Sequence, residues 1–199
     1  MIKFKVVVAG AKAVGKTSLI RRFCTGKFNI GTQSTIGVDF ETKKVVIEDS
    51  VILLNLWDFA GEEKFRTLFP SYVSGASGAL ILYDITNKKS LVDLENWLEI
   101  INNSPNPPNT KLLIGSKLDL EEIRQLSKKD ISDFFIKYDF QGKVIECSSK
   151  TGYNVESIFV KLGKEILKNS LIKCKFCGNY YPKELIYCQF CAEKKDNSI

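Results

Sequence analysis

Eight residues near the start of the chain, Gly10-Ala-Lys-Ala-Val-Gly-Lys-Thr17, have the types and spacing of a phosphate cradle, G-x-x-x-x-G-K-T. A tight loop that turns its backbone N–H groups inward, followed at once by a helix N-terminus, concentrates positive potential on phosphate oxygens. Gly10 and Gly15 permit that path, and Lys12, Ala13, Val14, Gly15, Lys16, Thr17 and Ser18 would surround the phosphates. The Lys16 ammonium can reach the outer phosphates as a point charge, while the Thr17 hydroxyl can ligate the Mg²⁺ that travels with them.

A second cluster lies near the other end, where Cys174, Cys177, Cys188 and Cys191 are spaced C-x2-C-x10-C-x2-C. Two knuckles that each present two thiolates match a closed tetrahedral Cys₄ site for Zn²⁺. The segment 174–191 resembles a minimal zinc ribbon, too short for a core of its own, so bound metal would supply most of its folding energy. Two disulfides or a redox pair are the alternatives, and a cytosolic nucleotide-binding chain disfavours the first. Cys24 and Cys147 lie elsewhere and read as small buried residues.

The elements that must hold the cradle alternate between strand and helix. Residues 2–9 form a strand, a helix runs from the cradle to about Thr25, and residues 26–37 are a loop without apolar period, expected to be mobile. Strands over 38–47 and 51–57, joined by a short turn, make an antiparallel hairpin at the sheet edge. The apolar runs 79–84 and 111–115 read as buried parallel strands, with a crossover helix over 90–101 between them. A helix near 127–138, a strand over 143–146 and a helix from 154 to about 168, with Asn154 as its N-cap, complete the pattern. The implied fold class is α/β, a six-stranded and mainly parallel sheet flanked by helices, with ligand sites at the carboxyl ends of the strands.

The whole chain of 199 residues therefore divides into a nucleotide-binding domain over 1–169, a linker at 170–173, the cysteine module at 174–191 and a flexible tail at 192–199. A net charge of +6 is spread among alternating acids and bases, which suits a solvated surface and gives no nucleic-acid footprint. No apolar run approaches a membrane span and no export signal opens the chain, so a cytoplasmic location is expected.

Further motifs follow at the remaining junctions: Thr35-Ile-Gly-Val-Asp-Phe40, Trp57-Asp-Phe-Ala-Gly61, Phe65-Arg-Thr67, Tyr83-Asp-Ile-Thr86, Ser116-Lys-Leu-Asp119 and Cys147-Ser-Ser-Lys150. In order and spacing they resemble the Ras superfamily of small GTPases, the Rab branch above all, over residues 2 to about 169. The P-loop NTPase fold and a GTP/GDP switch are what the resemblance implies. It implies that Thr35 ligates Mg²⁺ beside Thr17, that Asp58 holds a metal-bound water, and that the Gly61 N–H bonds the γ-phosphate. It also implies that Asp119 reads the guanine ring N–H and amine, with the Lys117 stem along the base and Phe28 on its other side. Ser148, Ser149 and Lys150 would complete that end, the Ser149 N–H meeting the base carbonyl. Taken alone, Asp119 would also suit a helix cap. Effectors and regulators would approach segments 28–40 and 58–72. There Phe40, Trp57 and Tyr72 suit either a partner interface or core packing.

Three positions depart from the family pattern. Glu62 stands where a Gln usually orients the attacking water, next to catalytic-site Gly61 and Lys16, and a carboxylate there should slow hydrolysis. Lys12 replaces a small residue. It could block an arginine finger, lend its charge in cis, or point outward into solvent, and the last is expected. Ser116 replaces an Asn and should lose a hydrogen bond to the base or to the phosphate loop, with guanine choice surviving through Asp119.

The expected activity is slow, Mg²⁺-dependent hydrolysis of GTP by a monomer. The alternative is a GTP-bound scaffold acting through its ribbon, which would dock a protein through Tyr180, Tyr181 and Phe190. The chain ends Asp196-Asn-Ser-Ile199 without prenylation cysteines, so no lipid anchor of that kind is expected. A nucleic-acid role for the ribbon is disfavoured by Glu184, Glu193 and Asp196.

Overall fold

A computed structural model describes residues 2–29, 35–48, 50–62 and 69–195. The Phe65-Arg-Thr67 motif, residues 30–34 of the first loop and the terminal residues 196–199 lie outside the described residues.

Strand β1 (Ile2–Ala9) leads into helix α1 (Lys16–Thr25), and strands β2 (Val38–Ile47) and β3 (Ser50–Phe59) form the hairpin. After α2 (Phe69–Val73) come β4 (Gly78–Asp84), α3 (Lys88–Val92), α4 (Leu94–Asn102) and β5 (Thr110–Ser116). A 3₁₀ turn at Leu118–Ile123 precedes α5 (Lys128–Lys137), β6 (Lys143–Glu146) and α6 (Val155–Ser170). The six strands lie in the order β2-β3-β1-β4-β5-β6. Only β2 runs antiparallel to its neighbour, as the short hairpin connection requires.

Continuous apolar runs occur in the central strands because both sheet faces are covered, and alternate residues feed different layers. In β1, Phe4, Val6 and Val8 join the core under α1 and α6, while Val7 and Ala9 join the core under α4 and α5. In β4, Leu80 and Leu82 take the first side and Ala79, Ile81 and Tyr83 the second. The first layer is closed by Phe23 of α1 stacked on Phe159 of α6, ring centroids 3.8 Å apart.

Several boundaries differ from the sequence reading. The crossover helix expected over 90–101 is two helices broken at Asp93, and it starts earlier because the Asn87 side chain accepts from the Lys89 N–H. Asn154 precedes α6 in the left-handed region without capping it, and its amide donates instead to the Glu146 carbonyl at 2.8 Å. The third strand continues through Asp58 and Phe59, paired with Asp39 and Val38.

Residues expected as a linker form strand β7 (Leu171–Lys173), entered directly from α6 and paired antiparallel with β8 (Tyr180–Pro182). The tail expected from residue 192 is folded as far as Lys195. Tyr187 bridges to Lys194, and the Lys195 N–H donates to Ile186 at 2.7 Å. Among the described residues no helix is long and apolar enough to cross a membrane.

Candidate functional site

The loops that leave the carboxyl ends of β1, β3, β5 and β6 open on one cleft of about 500 Å³. Lys16, Thr17, Thr35 and Gly61 line one end of it, and Phe28, Ser116, Lys117, Asp119, Ser149 and Lys150 line the other. Lys12, Ala13, Gly15, Ser18 and Glu62 also line it, whereas Val14, Asp58 and Ser148 sit buried behind the wall. The sequence reading missed Asn29, Phe59 and Leu120, which share the lining. Leu120 is apolar and lies outside any motif, and Phe59, although inside the 57–61 motif, carries no chemical signature of its own.

At the phosphate end the backbone is shaped by β1 ending against β4. Gly10 has φ +141, and a Cβ there would stand 2.4 Å from the Leu82 carbonyl oxygen, so only glycine fits. Ala13 at φ 63 and Gly15 at φ 97 continue the left-handed turns of the loop along the cleft wall, the kind of path by which backbone N–H groups form an anion-binding concavity. Lys16 opens α1 and is buried, its ammonium donating to the carbonyls of Gly10 and Ala11 at 2.8 Å each. Burial draws its pKa down to about 8, against the opposing pull of the Asp58 carboxylate.

Thr17, Thr35 and Asp58 come from three elements and meet at one point. The Thr17 hydroxyl lies 2.8 Å from that of Thr35 and donates to Asp58 Oδ2, which Thr35 also approaches at 3.4 Å. Burial raises the Asp58 pKa, opposed by the Thr17 hydroxyl and then by the Lys16 charge. Its second oxygen, Oδ1, is buried with no hydrogen-bond partner among the described residues. Two hydroxyl oxygens meeting Asp58 Oδ2, with the other carboxylate oxygen orphaned, make a hard oxygen set that fits a small divalent cation such as Mg²⁺.

At the base end, β5 and β6 are tied together beyond their last pairs. Cys147 donates its N–H to Gly115, and Leu118 donates to Cys147. Ser148 donates its hydroxyl to Asp119 Oδ1 at 2.5 Å, which orients that carboxylate, and the Lys150 ammonium stands 4.0 Å from Oδ2. Lys117, left-handed at φ 63, carries its ammonium to Asp84 Oδ2 at 2.6 Å. Thr86 donates to the other Asp84 oxygen through both its N–H and its hydroxyl. Asp84 is a site residue to which the sequence reading gave no role. Its signal was an acid closing a strand that is otherwise apolar throughout.

Two of the three departures from the family pattern take different forms from those expected. Lys12 does not simply point into solvent: its ammonium sits 2.9 Å from Glu62 Oε1, which joins the phosphate loop to the loop after β3. Beneath this pair a Cβ on Gly61 would lie 2.3 Å from the Lys12 backbone nitrogen, so the two loops touch. Ser116 keeps the tie to the phosphate loop, because its hydroxyl lies 2.6 Å from the Val14 carbonyl and 2.9 Å from that of Tyr83. A short side chain suffices where β1 and β5 both approach β4. Ser116→Ala should therefore cost about 1–3 kcal/mol of folding stability in a denaturant titration, by leaving a buried carbonyl without its donor. An unchanged midpoint would show the tie to be idle.

Phe40, Trp57 and Tyr72 form a chain of rings with centroids 5.0 and 5.5 Å apart. Trp57 and Tyr72 pack against the second core while Phe40 remains 47% exposed, so packing and exposure are both present in one cluster.

The four cysteines of the terminal module place their sulfurs within 4.8 Å of one another, with Cys174 to Cys191 and Cys177 to Cys188 each 3.7 Å. Thiolates bound tetrahedrally at about 2.3 Å from Zn²⁺ stand about 3.8 Å apart, so the set fits that ion. Both knuckles use one turn: Gly178 donates to Cys174, and Ala192 to Cys188. Backbone and side-chain N–H groups of Asn179 stabilise the Cys177 thiolate and lower its pKa. Tyr181 is buried among these cysteines, and Tyr180 packs on the first core while its hydroxyl reaches Glu48 at 3.4 Å. Of the three aromatic residues expected to dock a partner, only Phe190 is exposed, at 58%, accompanied by Phe176 at 77%.

Known proteins place this arrangement. The model described as Ras family matches residues 5–168. The Ras-related protein Rab-8 of Diplobatis ommata is 38% identical over 164 residues, which cover 82% of this chain and 77% of that protein. Ras-related protein Rab-8B of Bos taurus is 37% identical over 164 residues, covering 82% and 78%. The family match stops short of the four cysteines at 174–191.

Proposed function

Since this chain belongs to the Ras family, a Rab-like small GTPase and GTP-binding switch, we propose that it cycles slowly between GTP and GDP and carries a structural zinc ribbon for protein contacts. The observation that carries this reading is the single cleft shared by Lys16, Thr35, Lys117 and Asp119. Phosphate and base readers as far apart in the chain as Lys12 and Lys150 meet there as one ligand would require.

Each side chain then has a task. The phosphate loop and Lys16 hold the phosphate chain, and Asp119, oriented by Ser148, accepts from the guanine edge. Lys117, pinned by Asp84, lays its stem across the cleft opposite Phe28. Thr17, Thr35 and the Asp58 shell would hold Mg²⁺, which when bound neutralises phosphate charge and orients the terminal group. Gly61, seated against Ala11 and Lys12, is placed to present its N–H to the terminal phosphate, so losing that phosphate releases the loop. The Phe40-Trp57-Tyr72 cluster is the surface offered to effectors and regulators.

Slow turnover follows from Glu62, because a carboxylate beside an anionic phosphate raises the barrier that a neutral amide would lower. Single-turnover hydrolysis should run at or below about 10⁻³ s⁻¹, and Glu62→Gln should be faster. A slower Glu62→Gln would mean that the carboxylate works as a base. A second reading, a GTP-bound scaffold with negligible turnover, draws on the Lys12 contact that already occupies Glu62. Nucleotide identification on the freshly purified protein separates the two. Predominantly GDP supports the cycling enzyme, predominantly GTP supports the scaffold, and adenine nucleotide would refute both.

A further inference from the structure

We propose that Arg124 is a positioning residue for base selection: its guanidinium bridges Glu121 and Glu146, and so holds the two base-reading loops at the spacing that a purine with a C6 oxygen and a C2 amine requires. The inference rests on the guanine-nucleotide reading above and deepens it at the base end of that cleft.

That end is built from two loops, one carrying Asp119 after β5 and the other carrying Ser149 after β6. Asp119 would accept from the N–H and amine edge of the base and the Ser149 N–H would donate to its carbonyl, so selection depends on the gap between the two. The β6 loop is held by burial, since Cys147, Ser148 and Ser149 are buried and the Cys147 backbone bonds to Gly115 and Leu118. The turn that follows Asp119 has no such hold. None of the six residues Leu118–Ile123 is buried, and Leu120 leaves the helical region at φ −107 and ψ 29. Packing cannot fix that turn, so polar contacts must.

Arg124 supplies them from outside the cleft lining, with all five of its N–H donors engaged. Nε and Nη2 donate to the two oxygens of Glu121, two residues after Asp119, at 2.9 and 2.6 Å. Nη1 and Nη2 donate to the two oxygens of Glu146, the residue before Cys147, at 2.8 and 2.7 Å, and Nη1 also reaches the Leu126 carbonyl at 3.3 Å. A lone exposed ion pair holds little, whereas a bidentate network of three charges with the Arg124 side chain only 22% exposed holds more. Beside it, the Tyr83 hydroxyl and the Glu146 side chain crowd the space that a Cβ on Gly115 would take, at 2.7 and 3.0 Å. Both Glu146 oxygens turn to Arg124, and the buried phenol has no hydrogen-bond partner among the described residues.

Inosine diphosphate lacks the C2 amine, so its affinity relative to GDP reads whether Asp119 accepts from both positions at once. A hydrogen bond to a charged group is worth about tenfold or more in affinity, and the wild type should show that preference for GDP in competition titrations with Mg²⁺ present. Arg124→Ala should lose most of it. Arg124→Lys should too, because an ammonium cannot grip two carboxylates in a fork. Glu121→Ala removes only the arm to the turn, at a side chain 58% exposed, and should cut the preference about threefold or more with little change in melting temperature. A purely structural role would lower the melting temperature and weaken both ligands alike. Glu121→Ala decides the matter if Arg124→Ala does not fold. A preference that stays at the wild-type value in Glu121→Ala, in Arg124→Lys or in a folded Arg124→Ala overturns the proposal while the nucleotide reading stands. A wild type that binds neither ligand, or both equally, would overturn both.

Discussion

Asp119→Asn is expected to abolish the preference for guanine and transfer it to a base bearing an oxygen at C2, such as xanthine. The carboxylate is acceptor-only: one oxygen takes the Ser148 hydroxyl at 2.5 Å, and the pair retains lone-pair sites for the base. Guanine offers two N–H donors on adjacent positions, which a carboxylate accepts together. An asparagine amide replaces one acceptor with a donor, so one guanine N–H meets another N–H, whereas a C2 oxygen would receive it. Sites built on buried polar pairs reject a mismatched ligand by factors on the order of 10⁴–10⁵. GTP affinity should therefore fall by about three orders of magnitude or more, with xanthosine triphosphate gaining. Competition titrations against GDP read this directly. Retained guanine preference would leave Asp119 only a structural role, as the acceptor of the Ser148 hydroxyl.

Under the proposed zinc assignment of the four cysteines, removal of that metal should be the second large effect. The ribbon core consists of Cys174, Cys188 and Tyr181, with Ile172, Cys177 and Cys191 against it, too little apolar surface to fold unaided. Structural zinc supplies apparent binding energies of about 10–16 kcal/mol in small modules of this kind. Elemental analysis should find one zinc per chain. After chelation, amide exchange over residues 171–195 should rise to the unfolded rate while β1, β4 and β5 stay protected. Part of the loss should reach the nucleotide domain, because Tyr180 and Leu171 cover its first core. A ribbon that keeps its protection without metal would refute the assignment.

The cradle and the base loops were legible because their chemistry is local: G-x-x-x-x-G-K-T and S-K-L-D each lie in a short run whose offsets carry the meaning. That β4 and β5 lie inside the sheet follows from their double-sided burial, which leaves an unbroken apolar signature, whereas the strand order was not legible. What escaped the sequence reading depends on distance in space. Neither Lys12 nor Glu62 announces the other, since the two approach only when Gly61 packs on the phosphate loop. Lys117 gives no hint of Asp84 until β4 and β5 lie side by side with Asp84 opposite Ser116. Ser116 looked like a weakened Asn, yet the position of Val14 lets a hydroxyl make the same tie. Tyr180 and Tyr181 looked like a docking pair because a strand of three residues does not reveal which faces the four cysteines and which the sheet.

Helix α6 passes into β7 with no turn between them, the Lys183 N–H returns to the Ser170 carbonyl at 3.1 Å, and Tyr180 touches the hairpin at Glu48. The knuckles are consequently mounted like a bracket, whereas a tethered module would swing. Whatever grasps Phe176 and Phe190 also fixes the bearing of the opposite pole, where the cleft opens, so recognition at one pole dictates which way the other looks.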